Sequence, residues 1–145
     1  MQTKTKVVET YQAIQDYAQS PLGDMRVIDE CPVGYHVRQG DLYVQRIKSF
    51  NKEDYKEVSN RQLAPGQSKG SRHTVSDSVT VYEPIDKSMG NAEIVNGGII
   101  IKGPIIESKD RFSVMHVEHA DMSMPCGTYQ IMYQADPQTM RRVQD

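Results

Sequence analysis

Apolar and polar positions follow one period near the start of this chain and another beyond it. Between residues 4 and 19, Val7, Tyr11, Ile14 and Ala18 recur at steps of four, three and four, the spacing of one helix face. Glu9, Gln12, Gln15 and Asp16 occupy the opposite side, and Pro21 and Gly23 end the run. The pattern predicts a helical arm over residues 1–22 with a wet side and a narrow apolar side. Such a stripe packs on its own domain or docks on a neighbouring subunit, with Val7, Tyr11 and Ile14 as its contact residues.

From residue 35 the period becomes two. Tyr35 to Arg38 leads through Gln39-Gly40-Asp41 into Leu42 to Ile47, a run rich in β-formers with Leu42 and Val44 on one face. Residues 49–72 hold Lys, Asn, Gln, Ser, Gly and Pro65 with little apolar content, which predicts a long exposed loop. Strands resume at Thr74-Val75, Val79 to Tyr82, Ile94-Val95 and Gly98 to Ile106, the last broken by Gly103-Pro104. Asn96-Gly97-Gly98 is a hairpin signal, because a tight turn needs positive φ. Phe112 to Glu118 and Thr128 to Gln134 close the series, with Tyr129, Ile131 and Tyr133 on one face. Asp136-Pro137 reads as a helix cap followed by Pro at the first helical position, opening a short C-terminal helix through Val143.

These elements predict a single, mainly β domain over residues 35–145, a small β-sandwich or barrel with an N-terminal helix and a short C-terminal helix. A length of 145 residues suits one domain,. With 17 Lys and Arg against 19 Asp and Glu the net charge is -2, so no overall positive field recruits nucleic acid. The longest apolar run, Ile99-Ile100-Ile101, falls far short of the roughly 20 residues of a membrane span. The polar start carries no signal-peptide pattern, and two cysteines, Cys31 and Cys126, do not make a disulfide framework,. Neither nucleic acid nor membrane is an expected partner, and reduced thiols are expected.

The residues that could carry chemistry are His73, His116, Glu118 and His119. A metal such as zinc takes three or four N, O or S ligands, and neighbouring strands can supply them. On a strand, however, His116 and His119 are an odd step apart and face opposite ways, whereas His116 and Glu118 share the face of Phe112 and Val114. The spacing therefore predicts core or turn histidines, no catalytic constellation and no cofactor. Cys126 would need His119 as a base to act as a nucleophile; in its Pro-Cys-Gly turn it reads as a small filler. Gly66 to Gly70 lacks the spacing of a phosphate loop. Met115, Met122, Met124 and Met132 read as adaptable packing.

Several short motifs fall in a definite order: Val37-Arg38-Gln39-Gly40-Asp41-Leu42-Tyr43-Val44, Leu63-Ala64-Pro65-Gly66, Gly70-Ser71-Arg72-His73, His116-Val117-Glu118-His119, Met124 to Gln130, and Arg141-Arg142-Val143. Over about residues 35–145 the chain resembles a family of small prokaryotic and phage-encoded proteins of unassigned activity. Members commonly carry a second histidine beside the position of His73, where this chain has Ser71-Arg72, and an acidic residue where it has Val117. Residues 74–110 and the N-terminal helix read as additions to the family core. The resemblance implies a non-enzymatic structural or accessory protein of a phage particle, capsid-decorating in its simplest version. Its partners would be subunits of an assembly, the major capsid protein foremost, and its location the virion, or the host cytoplasm before assembly. The alternatives are a cupin-like domain holding a divalent metal through His73, His116, Glu118 and His119, and a soluble adaptor for one protein partner.

Overall fold

A computed structural model of the chain describes residues 7–8, 25–40, 42–64, 73–86, 92–95, 98–116 and 119–134. The strands in chain order are β1 (Val7–Val8), β2 (Arg26–Val27), β3 (His36–Gln39), β4 (Leu42–Ile47), β5 (Tyr55–Val58), β6 (Gln62–Ala64), β7 (His73–Val75), β8 (Thr80–Pro84), β9 (Ala92–Val95), β10 (Gly98–Ser108), β11 (Phe112–His116), β12 (Met122–Met124) and β13 (Gly127–Gln134). They form two sheets. One runs β1-β2-β12-β11-β7-β6; the other runs β3-β4-β13-β10-β8-β5, with β9 also paired to β10. The protein is mainly β, and its helical content among the described residues is one 3-10 turn, Lys52–Asp54. No helix among the described residues is long and apolar enough to cross a membrane.

Alternation builds the core. Val37 on β3, Leu42 and Val44 on β4, Val81 on β8, Ile106 on β10, and Tyr129, Ile131 and Tyr133 on β13 come from the larger sheet. They meet Val75 on β7, Phe112 and Val114 on β11, and Met122 and Met124 on β12, together with Leu63 on β6. Burying a side chain of this size contributes roughly 1.5–3 kcal/mol, so the shared core rather than strand pairing alone holds the sheets together. Leu42, Val44, Tyr129 and Ile131 have no solvent exposure, as the period of two predicts. Met122 and Met124 are likewise fully buried. At the β3–β4 hairpin Gly40 takes φ +59°, a backbone that glycine adopts without a Cβ clash.

The longest strand, β10, carries an irregularity that the sequence announces. Its pairing with β13 shifts register between Lys102 and Ile105. Pro104 has no N–H to donate, so an unbroken ladder through this point is impossible. Gln130, opposite on β13, turns its Nε2 onto the carbonyls of Gly103 at 2.9 Å and Pro104 at 3.2 Å. The first half of β10 pairs with β9 and the second with β8, so the bulge also marks the handover between two neighbours. Val95 pairs with Gly98, in agreement with the Asn96-Gly97 hairpin signal.

Two expectations require correction. The helix expected over residues 4–19 fails at Val7, because Val7–Val8 form a strand parallel to Arg26–Val27. Two consecutive β-branched residues suit an extended backbone, and β2 offers an open edge for them. The apolar helix stripe thus loses its first member; Tyr11 and Ile14 lie outside the described residues, as does the C-terminal helix expected from 136 to 143. The loop expected over 49–72 contains the 3-10 turn, β5 and β6. Asn51 caps the turn by accepting from the Glu53 N–H. Among the described residues β5 pairs with β8 alone and β6 with β7 alone, so both are edge strands, and Lys56 and Glu57 remain exposed. Edge strands with one wet face look like loop in a hydropathy pattern; fully buried Leu63 was the apolar signal within it. Residues 65–72, including Gly66 to Gly70, lie outside the described residues.

Candidate functional site

At one end of the shared core, three histidines meet. His73 on β7 and His116 on β11 are direct cross-strand partners, and both point inward in line with Val75 and Val114. They are 1% and 4% exposed, and their ring centres lie 4.3 Å apart. His119 follows β11, where strand geometry has ended. Its ring stands 4.6 Å from His116 and 6.4 Å from His73, and it is partly exposed. The expectation that His116 and His119 face opposite ways assumed a strand through both. His119 lies in a bend rather than a strand, and its ring stands on the same side as that of His116.

The larger sheet contributes Gln39, at the end of β3. Its side chain is fully buried and spans the two sheets. Nε2 donates to the Val114 carbonyl at 3.0 Å and to the Ala120 carbonyl at 2.9 Å, and Oε1 accepts from His73 Nδ1 at 2.9 Å. One amide therefore fixes β11, the segment after His119, and the His73 ring together. Nearby, the Tyr133 hydroxyl donates to the Leu63 carbonyl, joining β13 to β6 at the same end. The Tyr133 ring leaves room only for glycine at 103, since a Cβ there would stand 2.7 Å from its Cζ.

Sequence reasoning named the three histidines but not Gln39. The signal was present, because Gln39 is two residues beyond Val37 and shares its inward face; a polar side chain at a core position must find partners. Glu118 lies outside the described residues. As placed, the rings lean against one another, and no group of three His, Cys, Asp or Glu side chains among the described residues is set to hold a metal ion. The spacing is nonetheless close to that of shared ligation. Nitrogens about 2.0–2.1 Å from one zinc ion put their imidazole centres roughly 5 Å apart, within the observed span of 4.3 to 6.4 Å.

The remaining reactive groups lie elsewhere. Cys31 is buried and Cys126 exposed, both as free thiols; burial pushes the Cys31 thiol above its usual range. His36, on the outer side of β3, stacks edge-on against Tyr43 at 5.6 Å. Burial first, then the charge of Arg38, lowers its pKa below the ordinary histidine value.

The profile of the domain of unknown function DUF8820 matches residues 38–134, about two-thirds of the chain. The chain belongs to this family. The matched span begins in β3 and ends with β13, so Gln39, His73, His116 and His119 all fall inside it while β1 and β2 fall outside. No curated protein and no solved structure matches the chain.

Proposed function

We propose that this DUF8820 domain is a cupin-like metal-binding module, with His73, His116 and His119 as ligands to one divalent transition metal. The observation that carries the reading is the convergence of three imidazoles from separate positions at one end of the core that the two sheets share. Imidazole donors suit zinc, cobalt, nickel, copper and iron(II) rather than magnesium or calcium, which take oxygen. Binding requires the His116 and His119 rings to turn toward the His73 ring, which Gln39 holds. His119 gives the metal its way in, since it alone of the three is partly exposed.

The protein incubated with zinc and then dialysed retains about one ion per chain on this reading, with the nitrogen ligands surviving exchange into chelator-free buffer. His119→Gln, at the partly exposed position, keeps the fold and loses the ion. Retention of zinc by both His119→Gln and His116→Ala places the metal elsewhere and removes the proposal. A second reading, an accessory protein of a phage particle, draws on the motif resemblance and on the exposed apolar pair Val33 and Tyr35, 56% and 47% exposed. Co-sedimentation with purified particles, lost on Val33→Ser with Tyr35→Ser, tests that reading.

A further inference from the structure

We infer that Phe50, Tyr82 and Glu107, on the outer face of the larger sheet, form a binding site for a quaternary ammonium group, which Lys52 fills in the free protein. The inference goes beyond the metal reading and shares no residue with it. Val81 on β8 and Ile106 on β10 point into the core, so their chain neighbours Tyr82 and Glu107 point outward. The Phe50 ring, just before the 3-10 turn, packs on Tyr82 with centres 5.0 Å apart and meets Tyr55 edge-on at 5.4 Å. All three aromatic residues are partly exposed.

A cation already occupies the corner they make. Lys52 Nζ stands 5.9 Å from the Phe50 ring centre and 5.7 Å from that of Tyr82, and 3.8 Å from Glu107 Oε1. The other Glu107 oxygen accepts from the Thr128 hydroxyl at 3.1 Å, so the carboxylate has an anchor besides Lys52. The turn has its own anchors too, since Asn51 caps it and the Ile85 N–H donates to the Asp54 carbonyl at 2.9 Å. Glu57, the cross-strand partner of Tyr82, adds a second carboxylate on the same face. Lysine is a weak occupant here. Its head is strongly hydrated, its side chain is 64% exposed, and an exposed ion pair holds loosely. A nitrogen that carries methyl groups in place of N–H gives up less water to reach the two rings, whose faces attract the charge.

The test follows the methyl protons of choline by NMR, with ionic strength held constant by sodium chloride. In Lys52→Ala the competing cation is gone, and choline should bind on the order of 10-fold tighter than in wild type, with its methyl signal moved upfield by the ring faces. Adding Tyr82→Leu to Lys52→Ala should abolish that shift, and adding Glu107→Gln should weaken it, with circular dichroism unchanged. Sedimentation with phosphatidylcholine vesicles separates two sources of the group: binding to free choline and vesicles assigns a lipid headgroup, and binding to choline alone a soluble ligand. Failure of folded Lys52→Ala to shift the choline signal overturns the inference and leaves Lys52 as a cover for the rings. A shift that survives Tyr82→Leu overturns it as well, by placing choline elsewhere. If the Tyr82→Leu chain does not fold, nuclear Overhauser contact between choline methyls and the Phe50 ring in Lys52→Ala decides, and its absence overturns the inference. No arm uses a metal, so this inference and the metal reading fail separately.

Discussion

At the closed end of the core, Phe112 meets Tyr129 edge-on with ring centres 5.5 Å apart, and the Tyr129 hydroxyl donates to the Pro125 carbonyl four residues away at 2.7 Å. The Arg46 guanidinium lies over the same ring, 5.6 Å from its centre. At the opposite end Gln39 reaches 75 residues along the chain to Val114 and 81 to Ala120, and three imidazoles take the place of the aromatic seal. One end is closed by large side chains and a local bond. The other is closed by polar groups drawn from distant segments, which costs desolvation and is tolerable only where each group finds a partner. On this comparison stability concentrates at the aromatic end, and the proposed metal binding belongs to the histidine end.

The largest expected effect falls between the two ends. Ile131 is fully buried midway along β13, so Ile131→Asp places an unpaired charge in the part of the core that both ends share. The domain should fail to fold, a loss of more than about 4 kcal/mol, visible as a disordered far-UV circular dichroism spectrum at 25 °C. A native spectrum would mean that the core is not continuous from end to end.

Next comes a pair of variants that set the ends against each other. Phe112→Ala should destabilise by about 3–5 kcal/mol in urea titration while cobalt binding at the histidine end is unchanged in the folded fraction. His119→Gln should change stability by under about 1 kcal/mol, as for other partly exposed positions, and abolish cobalt binding. If Phe112→Ala alters the cobalt spectrum, the ends are mechanically coupled and the division of labour drawn above is wrong.

That division also separates what was legible in the sequence from what was not. The alternation through Val37, Leu42, Val44, Tyr129 and Ile131 identifies the core directly, because a half-buried strand has one period and one face. Gly103-Pro104 announces a break, and β10 shifts register there. Edge strand β5 reads as loop because it buries no side chain fully, β6 because Leu63 is a lone apolar signal in a three-residue strand, and Val7–Val8 because a two-residue strand is too short to show a period. The histidine end was hidden for a different reason. Periodicity can say which way His116 points but not where the chain carries His119 after the strand ends, and no local rule links Gln39 to residues 75 and 81 positions away.

A smaller effect belongs to the seam between β10 and the histidine end. Gly103→Ala would drive its new Cβ against the Tyr133 ring, with contacts of 2.7 Å to both Cε2 and Cζ. The ring is anchored by its hydroxyl at Leu63, so relief requires giving up that bond or shifting the bulge. The expected loss is about 1–3 kcal/mol, read as a lower urea midpoint with an unchanged slope, and it should be largely removed by Tyr133→Phe, which frees the ring to move.

Another small effect at neutral pH is at the aromatic end, and it carries a pH signature. Burial, reinforced by the proximity of Cys31 and only partly offset by Arg46, pushes the Tyr129 pKa from its ordinary 10.0 up to about 12. The folded state therefore keeps this proton where the unfolded chain has released it. Its stabilising contribution is complete below pH 10 and is lost as pH rises from there to about 12, because protons bound by the folded state alone make stability fall with pH. Tyr129→Phe keeps the ring and its contact with Phe112 but removes the bond to Pro125, a loss of about 1 kcal/mol at pH 7. It should also flatten the decline in melting temperature between pH 10 and 12, and remove one late-titrating phenol from the alkaline ultraviolet absorbance curve. A decline equally steep in wild type and Tyr129→Phe would assign the alkaline transition to groups other than the Tyr129 phenol.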